Sequence, residues 1–539
     1  MKFSMALILG ALFFFSCSNH SNSSHFSRIK QELRINVNRE PSTLDPRKGG
    51  DVVSSSLHFL LFEGLTSLNE DGSITGAQAE SIEISEDRKT YTFHLRNTFW
   101  SNGIPVTAFD FEQAWKKILS PHFPAINAHL FYPIKNAEAV KRGQLPLEEV
   151  GIHVKDEKTL VVELTNPTPY FLQLTAFCVF FPVSSAIDDK FPDWAFSAGN
   201  LFVSNGPFTL KEWKHHDQIV LKKNPQYREE NAISLQSIKI SMVENEATAL
   251  HMYENGDLDI VGSPLSPLPT DALPRMLKEG LLNIRPSAGT TICVFNTQQA
   301  PFNNINIRKA LAYAIQREPI VQNITQMQEQ IATNMIPPIL KGNRVVNFFK
   351  DSDLEQAREL FQKGLEELGM ESSDFNDIPY VYNATELNHK VAQAIQQQWF
   401  NAFGFKISLE NMEYKVLLDR LSKRNFYCGQ ALWLAQYNDP MNILERYKFK
   451  ENPKNYAGWE NAQYIKLLDK SALDKTSDER LHTLEEAESL FLNEMAIAPI
   501  YHFSEAFMVK PYIKNLSLSP IGTIYFTKLS IDTQGKRKR

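Results

Sequence analysis

The sequence has few cysteines and lacks the short motifs that mark the common catalytic sites. Four cysteines occur among 539 residues, and no two of them form a C-x-x-C pair, which excludes a zinc ribbon and a thioredoxin-type redox motif. No H-E-x-x-H, G-x-S-x-G, P-loop or G-x-G-x-x-G pattern is present, so zincin, α/β-hydrolase, ATP-binding and dinucleotide-binding sites are not expected. We therefore expect no cofactor, and the sequence favours a binding function over an enzymatic one.

The chain also lacks an excess of positive charge. Lys and Arg number 56 against 62 Asp and Glu, which gives a formal charge of −6, whereas nucleic-acid-binding chains are typically basic. The short basic tail at 536–539 is expected to be solvated, so no nucleic-acid partner is predicted. Hydrophobic residues make up 43% and charged residues 22%, which is typical of a globular protein with a sizeable core.

No apolar run is long enough for a membrane-spanning helix, which needs roughly 20 residues. The run at 3–16 is shorter and is followed by Cys17 and a polar Ser/Asn-rich stretch, which predicts a secretory signal peptide over 1–16 and a linker over 17–32. Ser16 directly before Cys17 resembles a bacterial lipoprotein signal, in which Cys17 becomes the lipid-modified first residue. Ordinary cleavage nearby, without lipid, is the alternative.

Strand and helix patterns alternate from residue 32 onward without an internal repeat, which predicts an α/β or α+β fold. Period-2 alternation at 91–95 predicts a strand, and apolar residues on one face of 111–119, with Thr107 as the cap, predict a helix. Similar patterns predict strands at 292–295, 405–409 and 497–501 and helices at 307–315, 391–403 and 484–491.

The cysteines after Cys17 lie in apolar segments and are Cys178, Cys293 and Cys428. They are interpreted as small buried hydrophobic residues and not as thiolate nucleophiles. A bridge between Cys293 and Cys428 is compatible with an oxidising compartment, but the spacing does not demonstrate it.

Two pairs of polar residues offer possible sites for metal or acid–base chemistry. His215 and His216 are neighbours in a K-H-H-D turn, and adjacent side chains on a strand point to opposite faces, so a solvated turn is favoured. Asp257 and Asp259 flank a leucine beside another turn and are also interpreted as solvated.

Ordered segments along the chain resemble the peptide-binding, or oligopeptide-binding, family of ABC-transporter solute-binding proteins, which also includes dipeptide, murein-peptide and nickel binders. The segments include LFEGLTSLNEDGSITGAQAES at 61–81, YTFHLRNTFWSNGIPVTAFDFEQAWKKILSP at 91–121, FNTQQAPFNNINIRKALAYAIQRE at 295–318, WLAQYNDP at 433–440 and AIAPIYHFSEAFMVKP at 496–511. The resemblance extends from about residue 33 to residue 529, so it is more specific than any single motif.

The resemblance implies an α/β, two-lobed periplasmic-binding-protein fold, type II-like, with an additional domain and a ligand cleft between the lobes. The expected domains are a discontinuous domain I over 33–62, 185–288 and 500–533, domain II over 63–184 and domain III over 289–499. Strands that cross near 262–289 and near Ile500 would form a hinge.

The resemblance also implies where a ligand would bind. Peptide backbones in this family lie extended against strands of the cleft, and members that bind free peptides carry an aspartate, at the place of Gln436, that pairs with the ligand's α-ammonium group. Gln436 cannot neutralise that charge. Gln430 stands where arginine is common in the family, Leu432 where glycine is common and Gly262 where a bulky aromatic is common. Two explanations of these departures are open, neutral drift and an altered ligand preference.

The remaining expected contacts come from both lobes. They are Val52 and Val53 of the first lobe, Asn383 and Asn388 in the loop after a domain III strand, and Tyr414, Trp433, Leu434 and Ala435. For Tyr414 and Trp433 a role in the core is equally open, because aromatic rings fill interiors as readily as pockets.

The family implies an exported protein of the periplasm or cell envelope that captures oligopeptides and delivers them to an ABC importer. Its partners would be a peptide ligand, the permease and ATPase subunits of the importer and, if Cys17 carries lipid, a membrane; the protein is expected to be a monomer. The alternatives are a binder of modified or murein peptides or of another, non-peptide solute, a sensor lipoprotein with the same fold, and an exported peptidase.

Overall fold

The computed structural model describes residues 31–532. The predicted signal peptide, Cys17, the linker up to residue 30 and the basic tail lie outside this range. Within residues 31–532, no helix combines the length and the apolar character that a membrane span requires.

Strands and helices alternate along the described chain, as the sequence predicts. The strands are β1 (Glu32–Val37), β2 (Thr66–Leu68), β3 (Ile74–Gly76), β4 (Ala79–Ile84), β5 (Thr90–Leu95), β6 (Ile152–Asp156), β7 (Thr159–Glu163), β8 (Phe208–Lys214), β9 (Gln218–Lys223), β10 (Ser237–Met242), β11 (Ile260–Gly262), β12 (Asn283–Phe295), β13 (Gln330–Ile331), β14 (Pro379–Asn383), β15 (Ser408–Met412), β16 (Cys428–Leu434), β17 (Ile497–Val509), β18 (Ile513–Lys514) and β19 (Ser530–Ile531). The helices are α1 (Val52–Leu61), α2 (Ala108–Leu119), α3 (Ala137–Lys141), α4 (Phe171–Thr175), α5 (Ser185–Asp188), α6 (Glu246–Asn255), α7 (Leu273–Lys278), α8 (Ile305–Tyr313), α9 (Arg317–Ile320), α10 (Leu354–Leu368), α11 (Glu386–Phe403), α12 (Tyr414–Ser422), α13 (Met441–Leu444), α14 (Ala462–Ser471) and α15 (Ser477–Glu494).

A four-stranded sheet in the order β1-β10-β9-β8 joins the start of the described chain to its middle, with β1 parallel to β10. Leu33, Ile35 and Val37 of β1 are at most 1% exposed. All four strands lie inside the segments predicted for domain I, except that β1 begins one residue before them, at Glu32.

A second four-stranded sheet, β4-β5-β7-β6, lies wholly inside the predicted domain II. Tyr91, Phe93 and Leu95 of β5 are buried, which confirms the strand that alternation predicts. Helix α2 begins with a capping box between Thr107 and Asp110, which satisfies backbone donors that the first turn leaves free, and it buries an apolar face. The predicted helix and its cap are therefore confirmed.

The largest sheet has the order β11-β17-β12-β16-β14-β15, with β13 beside β17. Its two long strands, β12 and β17, have 13 residues each and pair antiparallel, with register breaks between Pro286 and Thr290 and between Thr291 and Ile292. Each of these strands crosses a predicted boundary between domains I and III, so two adjacent strands connect these two domains.

The two ends of the described chain lie side by side. The Gln31 side-chain amide donates to the Ile531 carbonyl over 2.9 Å, and the Ile531 backbone N–H donates to Oε1 of Gln31 over 3.2 Å. These residues are 500 positions apart, so hydrogen bonds join the first and last segments of the described chain.

The helices predicted at 307–315, 391–403 and 484–491 are confirmed as α8, α11 and α15, and Gly404 ends α11 in the left-handed region. The strand predicted from residue 405 begins only at Ser408. Phe405 and Ile407 are nonetheless buried. Their alternation therefore reflects packing of a segment whose residues 405–407 do not pair with another strand.

Cys178, Cys293 and Cys428 are buried free thiols. Their burial confirms the prediction, and the structure has no bridge between Cys293 and Cys428.

Asp259 is fully buried, so the prediction that it is solvated is wrong. Its carboxylate accepts hydrogen bonds from the Arg34 guanidinium over 2.6 Å and from the Tyr512 hydroxyl over 2.8 Å. Its partner Arg34 lies 225 positions earlier, which a local pattern cannot reveal.

Gly262 has a backbone reason to be glycine. Its φ is +114°, and a Cβ atom would lie 2.5 Å from the carbonyl oxygen of Ala506 on β17. A larger side chain there would clash with the neighbouring backbone, so Gly262 is explained by strand packing and gives no support for an altered ligand preference.

Candidate functional site

The predicted contact residues of the first lobe lie at the start of α1. Asp51 caps this helix by accepting a hydrogen bond from the Ser54 backbone N–H over 2.9 Å. Val52 is 40% exposed, whereas Val53 is 2% exposed and packs into the core. Of the two predicted contact residues, only Val52 therefore presents an accessible surface.

Strand β16 carries four of the eleven predicted residues, two more follow it directly, and the strand alternates its side chains between two faces. Leu432 is 45% exposed, while Gln430 is 5% and Trp433 is 4% exposed. Ala435, just after the strand, is 5% exposed, and Leu434 is partly buried. Successive residues of a strand point to opposite faces, so Leu432 lies on the open face and its neighbour Trp433 on the packed face.

Trp433 belongs to the core. Its indole N–H donates to the Tyr447 hydroxyl over 2.7 Å. The Tyr456 ring stacks on it with centroids 5.1 Å apart, and the Arg446 guanidinium lies 4.3 Å from its ring centroid. Tyr414, at the start of α12, is instead 46% exposed. The two aromatic residues therefore have different roles, which the sequence left open.

Gln430 and Asn388 are brought together although they lie 42 positions apart. The Gln430 amide donates to Oδ1 of Asn388 over 2.8 Å, and within residues 31–532 the Oε1 atom of Gln430 has no hydrogen-bond partner. Asn388 lies in the first turn of α11, and Asn383 is the last residue of β14. The prediction that both lie in the connecting loop is therefore wrong.

Gln436 takes part in a chain of hydrogen bonds through all three predicted domains. Its Nε2 donates to Oδ1 of Asn127 over 2.9 Å, and Nδ2 of Asn127 donates to the Gly49 carbonyl over 3.0 Å. The Gln436 backbone N–H donates to Oδ1 of Asn442 over 3.1 Å. The side chain that the family comparison singles out therefore bridges predicted domains III and II.

A second bridge between predicted domains II and III is built from aromatic rings and a carboxyl group. Tyr170 stacks on Tyr437 with ring centroids 5.1 Å apart, and their hydroxyls donate to Glu445 over 3.4 and 3.1 Å. Burial raises the pKa of the Glu445 carboxyl to about 7, against the opposing effect of the Tyr437 hydrogen bond. Sequence reasoning missed these residues because no motif joins positions 275 apart.

Two basic side chains also meet between these domains. Nζ of Lys454 lies 3.3 Å from Nε2 of His129. Burial, followed by the nearby charge of Arg446, lowers the pKa of Lys454 to about 7. Burial and then the charge of Lys454 lower the pKa of His129 to about 3, so at neutral pH the imidazole is uncharged.

Among the described residues, no group of three or more His, Cys, Asp and Glu side chains is placed to hold a metal ion. His215 and His216 both face Glu40, at 2.6 and 3.0 Å. Burial raises the pKa values of the Cys178 and Cys293 thiols to about 12, so these sulfurs are protonated and unreactive at neutral pH.

Similarity to known proteins extends over nearly the whole chain. Residues 73–455 match the family described as "Bacterial extracellular solute-binding proteins, family 5 Middle". The chain is 40% identical over 524 residues to the oligopeptide-binding protein OppA of Bacillus subtilis (strain 168), with 96% of both chains covered. It is 34% identical to the dipeptide-binding protein DppE of the same organism, over 91% of this chain and 90% of the relative.

Solved structures give the same result. The crystal structure of Haemophilus influenzae OppA in complex with RPPGFSPFR superposes with a TM-score of 0.80 at 29% identity, and covers 94% of this chain and 99% of that one. The fold, the family match and the sequence identity therefore agree, and the protein belongs to the family 5 bacterial extracellular solute-binding proteins, with their two-lobed α/β fold.

Proposed function

We propose that this protein captures oligopeptides outside the cytoplasm and delivers them to an ABC importer, whose permease and ATPase are separate chains. The observation that carries this proposal is the 40% identity, over 96% of both chains, to a protein named for oligopeptide binding. The likeness to a structure that contains the peptide RPPGFSPFR supports the same ligand class.

The exposed apolar side chains described above suit a peptide groove. Val52, Tyr414 and Leu432 are 40–46% exposed, so each offers apolar surface that a ligand side chain can cover. In this proposal they contact ligand side chains, while backbone groups near β16 pair with the extended peptide. Val53, Trp433 and Ala435 are buried next or close to these exposed side chains in the sequence, and the buried Gln430 holds Asn388 through its amide.

Closure of the two lobes would couple to binding through the contacts between predicted domains II and III. The hydrogen bonds from Gln436 to Asn127 and from Tyr170 to Glu445 join these domains. The paired strands β12 and β17 are the proposed hinge. A ligand that contacts both lobes favours the closed arrangement by its differential affinity for it.

We further infer a weaker demand for a free α-amine than in relatives that use an aspartate at this position. Gln436 is uncharged and its amide is engaged with Asn127, so it supplies no charge-assisted bond to an ammonium group. This favours, as a second candidate ligand, a modified or cell-wall-derived peptide.

Two measurements test these proposals. Mass spectrometry of small molecules that co-purify with the protein should detect intact peptides, and recovery of cleaved peptides or of a non-peptide solute alone would contradict peptide capture without hydrolysis. Calorimetry with one such peptide and its N-acetylated counterpart should give similar affinities. A large loss on acetylation would contradict the inference from Gln436.

We also propose that the protein is exported as a monomer that is anchored by a lipid on Cys17, because the sequence around Cys17 resembles a lipoprotein signal. Mass spectrometry of the N-terminal peptide from a membrane fraction should detect an acylated Cys17, and Cys17→Ser should release the protein into the soluble fraction. Gel filtration in detergent should give the mass of one chain. An unmodified or absent Cys17 would leave a cleaved, unanchored protein.

A further inference from the structure

Two cationic side chains beside the candidate cleft lack a counter-charge. Arg446 is 7% exposed, and Lys454 is partly exposed. Among the residues that the structure describes, neither forms an ion pair with a carboxylate, whereas the nearby Lys448 and Arg480 both do. A charge that is withdrawn from water without a counter-charge is costly. An anionic group of a ligand would therefore stabilise both cations.

Neutral groups hold the Arg446 guanidinium in place. Its Nε donates to the Asn442 carbonyl over 3.1 Å, and its Nη2 donates to the Leu434 carbonyl over 3.3 Å. The ring centroid of Trp433 is 4.3 Å away. Within residues 31–532, Nη1 donates no hydrogen bond, and it is not among the enclosed polar atoms that lack a partner. Nη1 is therefore open to a ligand.

The ammonium group of Lys454 has one partner in the described part of the chain, the imidazole of His129. Nζ lies 3.3 Å from Nε2 of that ring, and an ammonium group has three N–H donors, so two of them are free. Burial, followed by the charge of Arg446, lowers the pKa of Lys454 to about 7, so only part of the positive charge is kept at neutral pH. A carboxylate nearby would restore it.

The neighbouring acidic side chains are occupied elsewhere. Glu445 accepts hydrogen bonds from two tyrosine hydroxyls, and burial raises its pKa to about 7, so at neutral pH it carries only part of a negative charge. Asp439 accepts two hydrogen bonds from Arg480, over 2.7 and 2.8 Å. These carboxyl groups therefore leave a positive surplus around the two unpaired cations.

The unpaired cations adjoin the surface on which a peptide is proposed to lie. Arg446 bonds to the carbonyl of Leu434, the last residue of β16. Burial raises the pKa of the Tyr414 hydroxyl, and the charges of Arg39 and then of Arg446 oppose that rise. Tyr414 is 46% exposed. Arg39, from the first lobe, is exposed as well and forms no ion pair with any described residue. Positive groups from predicted domains I and III therefore lie near the same exposed ring.

We propose that Arg446 and Lys454 form a binding site for a carboxylate of the peptide ligand, with Arg39 adding positive charge from the first lobe. A carboxylate that reaches Nη1 of Arg446 or Nζ of Lys454 gains charge-assisted hydrogen bonds, which are about twice as strong as neutral ones. An acidic side chain and a free C-terminus both supply this group. The proposal rests on the proposed function, because it assumes that a peptide occupies the cleft.

Three nonapeptide pools, built from uncharged residues, distinguish the two sources of the carboxylate. The first pool is amidated at the C-terminus, the second has a free C-terminus, and the third is amidated and carries one glutamate in each peptide. Mass spectrometry measures what the full-length protein retains after gel filtration. We expect the second or the third pool to be retained about tenfold better than the first, and the preferred pool identifies the source. Equal retention of all three overturns this proposal and leaves the proposed function standing, whereas retention of none overturns both.

Variants locate the site of the carboxylate. Lys454→Met should reduce the preference for the carboxylate-containing pool to about twofold or less. Lys448→Met is the matched control and should leave the preference unchanged, because it removes the same charge from a lysine that already pairs with Asp469. Arg39→Gln should lower the preference about two- to threefold, and this exposed position keeps the test decisive if Lys454→Met does not fold. Equal losses in Lys454→Met and Lys448→Met, or a preference that survives both Lys454→Met and Arg39→Gln, would overturn the assignment.

Discussion

The hydrogen bond between Gln436 and Asn127 allows closure of the cleft to be separated from the stability of the lobes. It spans 2.9 Å between residues 309 positions apart in predicted domains III and II. If this bond forms only when the lobes close on a ligand, its loss weakens ligand binding and leaves each lobe intact.

The size of the effect follows from the environment of the two amides. A neutral hydrogen bond contributes about 0.5–1.5 kcal/mol, which corresponds to about a 2- to 13-fold change in Kd at 25 °C. Gln436 is half-buried, so water can replace its lost partner and the lower half of this range is expected. Asn127 is 4% exposed and also donates to Gly49, so Asn127→Leu should cost about a further 1 kcal/mol of unfolding free energy.

A double-mutant cycle measures the bond itself. Calorimetry on the wild type, Gln436→Leu, Asn127→Leu and the double variant gives the coupling in binding free energy, and urea unfolding of the same proteins gives the coupling in stability. We expect a coupling of about 0.5–1 kcal/mol in binding. A binding coupling below about 0.3 kcal/mol, which is ordinary additivity, would refute the role of this bond in closure.

Three further predictions concern the buried polar groups and thiols. Lys341→Met leaves the carboxylate of Glu488, which is 3.3 Å from the lysine and 0% exposed, without its cation, and urea unfolding should show a loss of about 3–5 kcal/mol. Lys341→Met with Glu488→Gln should recover most of it, because the glutamine oxygen still accepts from the backbone N–H groups of Met335 and Ile336. Burial raises the pKa of Glu505 to about 7, so the native state holds a proton that the unfolded chain loses from about pH 4.5 upward, and stability should fall as pH rises to 7. Glu505→Gln should therefore stabilise the protein at pH 8 and have little effect at pH 4.5; the same effect at both pH values would contradict this. Iodoacetamide without reductant should label all the buried cysteines in denaturant and almost none in the native protein, and a cysteine that stays unlabelled in denaturant would indicate a disulfide.

Local patterns predict elements well where a single stretch of sequence decides the outcome. Helix α2 follows from the spacing of its apolar residues and the capping box of Thr107 and Asp110, and α11 ends where Gly404 adopts a positive φ. Each of these features depends on residues within a few positions of one another, so the sequence carries the whole signal.

The polar contacts of the candidate site depend instead on how distant segments meet. Asn127 and Tyr170 face the site from predicted domain II, and no spacing rule connects them to Gln436 or Glu445. Family resemblance predicts the strand that carries the site, β16, but it does not separate the exposed Leu432 from the buried Trp433; the pairing of β16 in the sheet does.

The antiparallel pairing of β12 with β17 has a consequence for the synthesis of the chain. Strand β12 ends at Phe295, and its neighbour β17 begins at Ile497, so roughly 200 residues are translated between them. At about 5–20 residues per second, a ribosome needs roughly 10–40 s for that stretch. For this time the apolar residues of β12, among them Ile292 and Val294, which are 0% exposed in the finished fold, lack at least one of their two flanking strands, β16 and β17. An uncovered strand edge invites aggregation, so we expect the nascent chain to depend on a chaperone until its last hundred residues have been made.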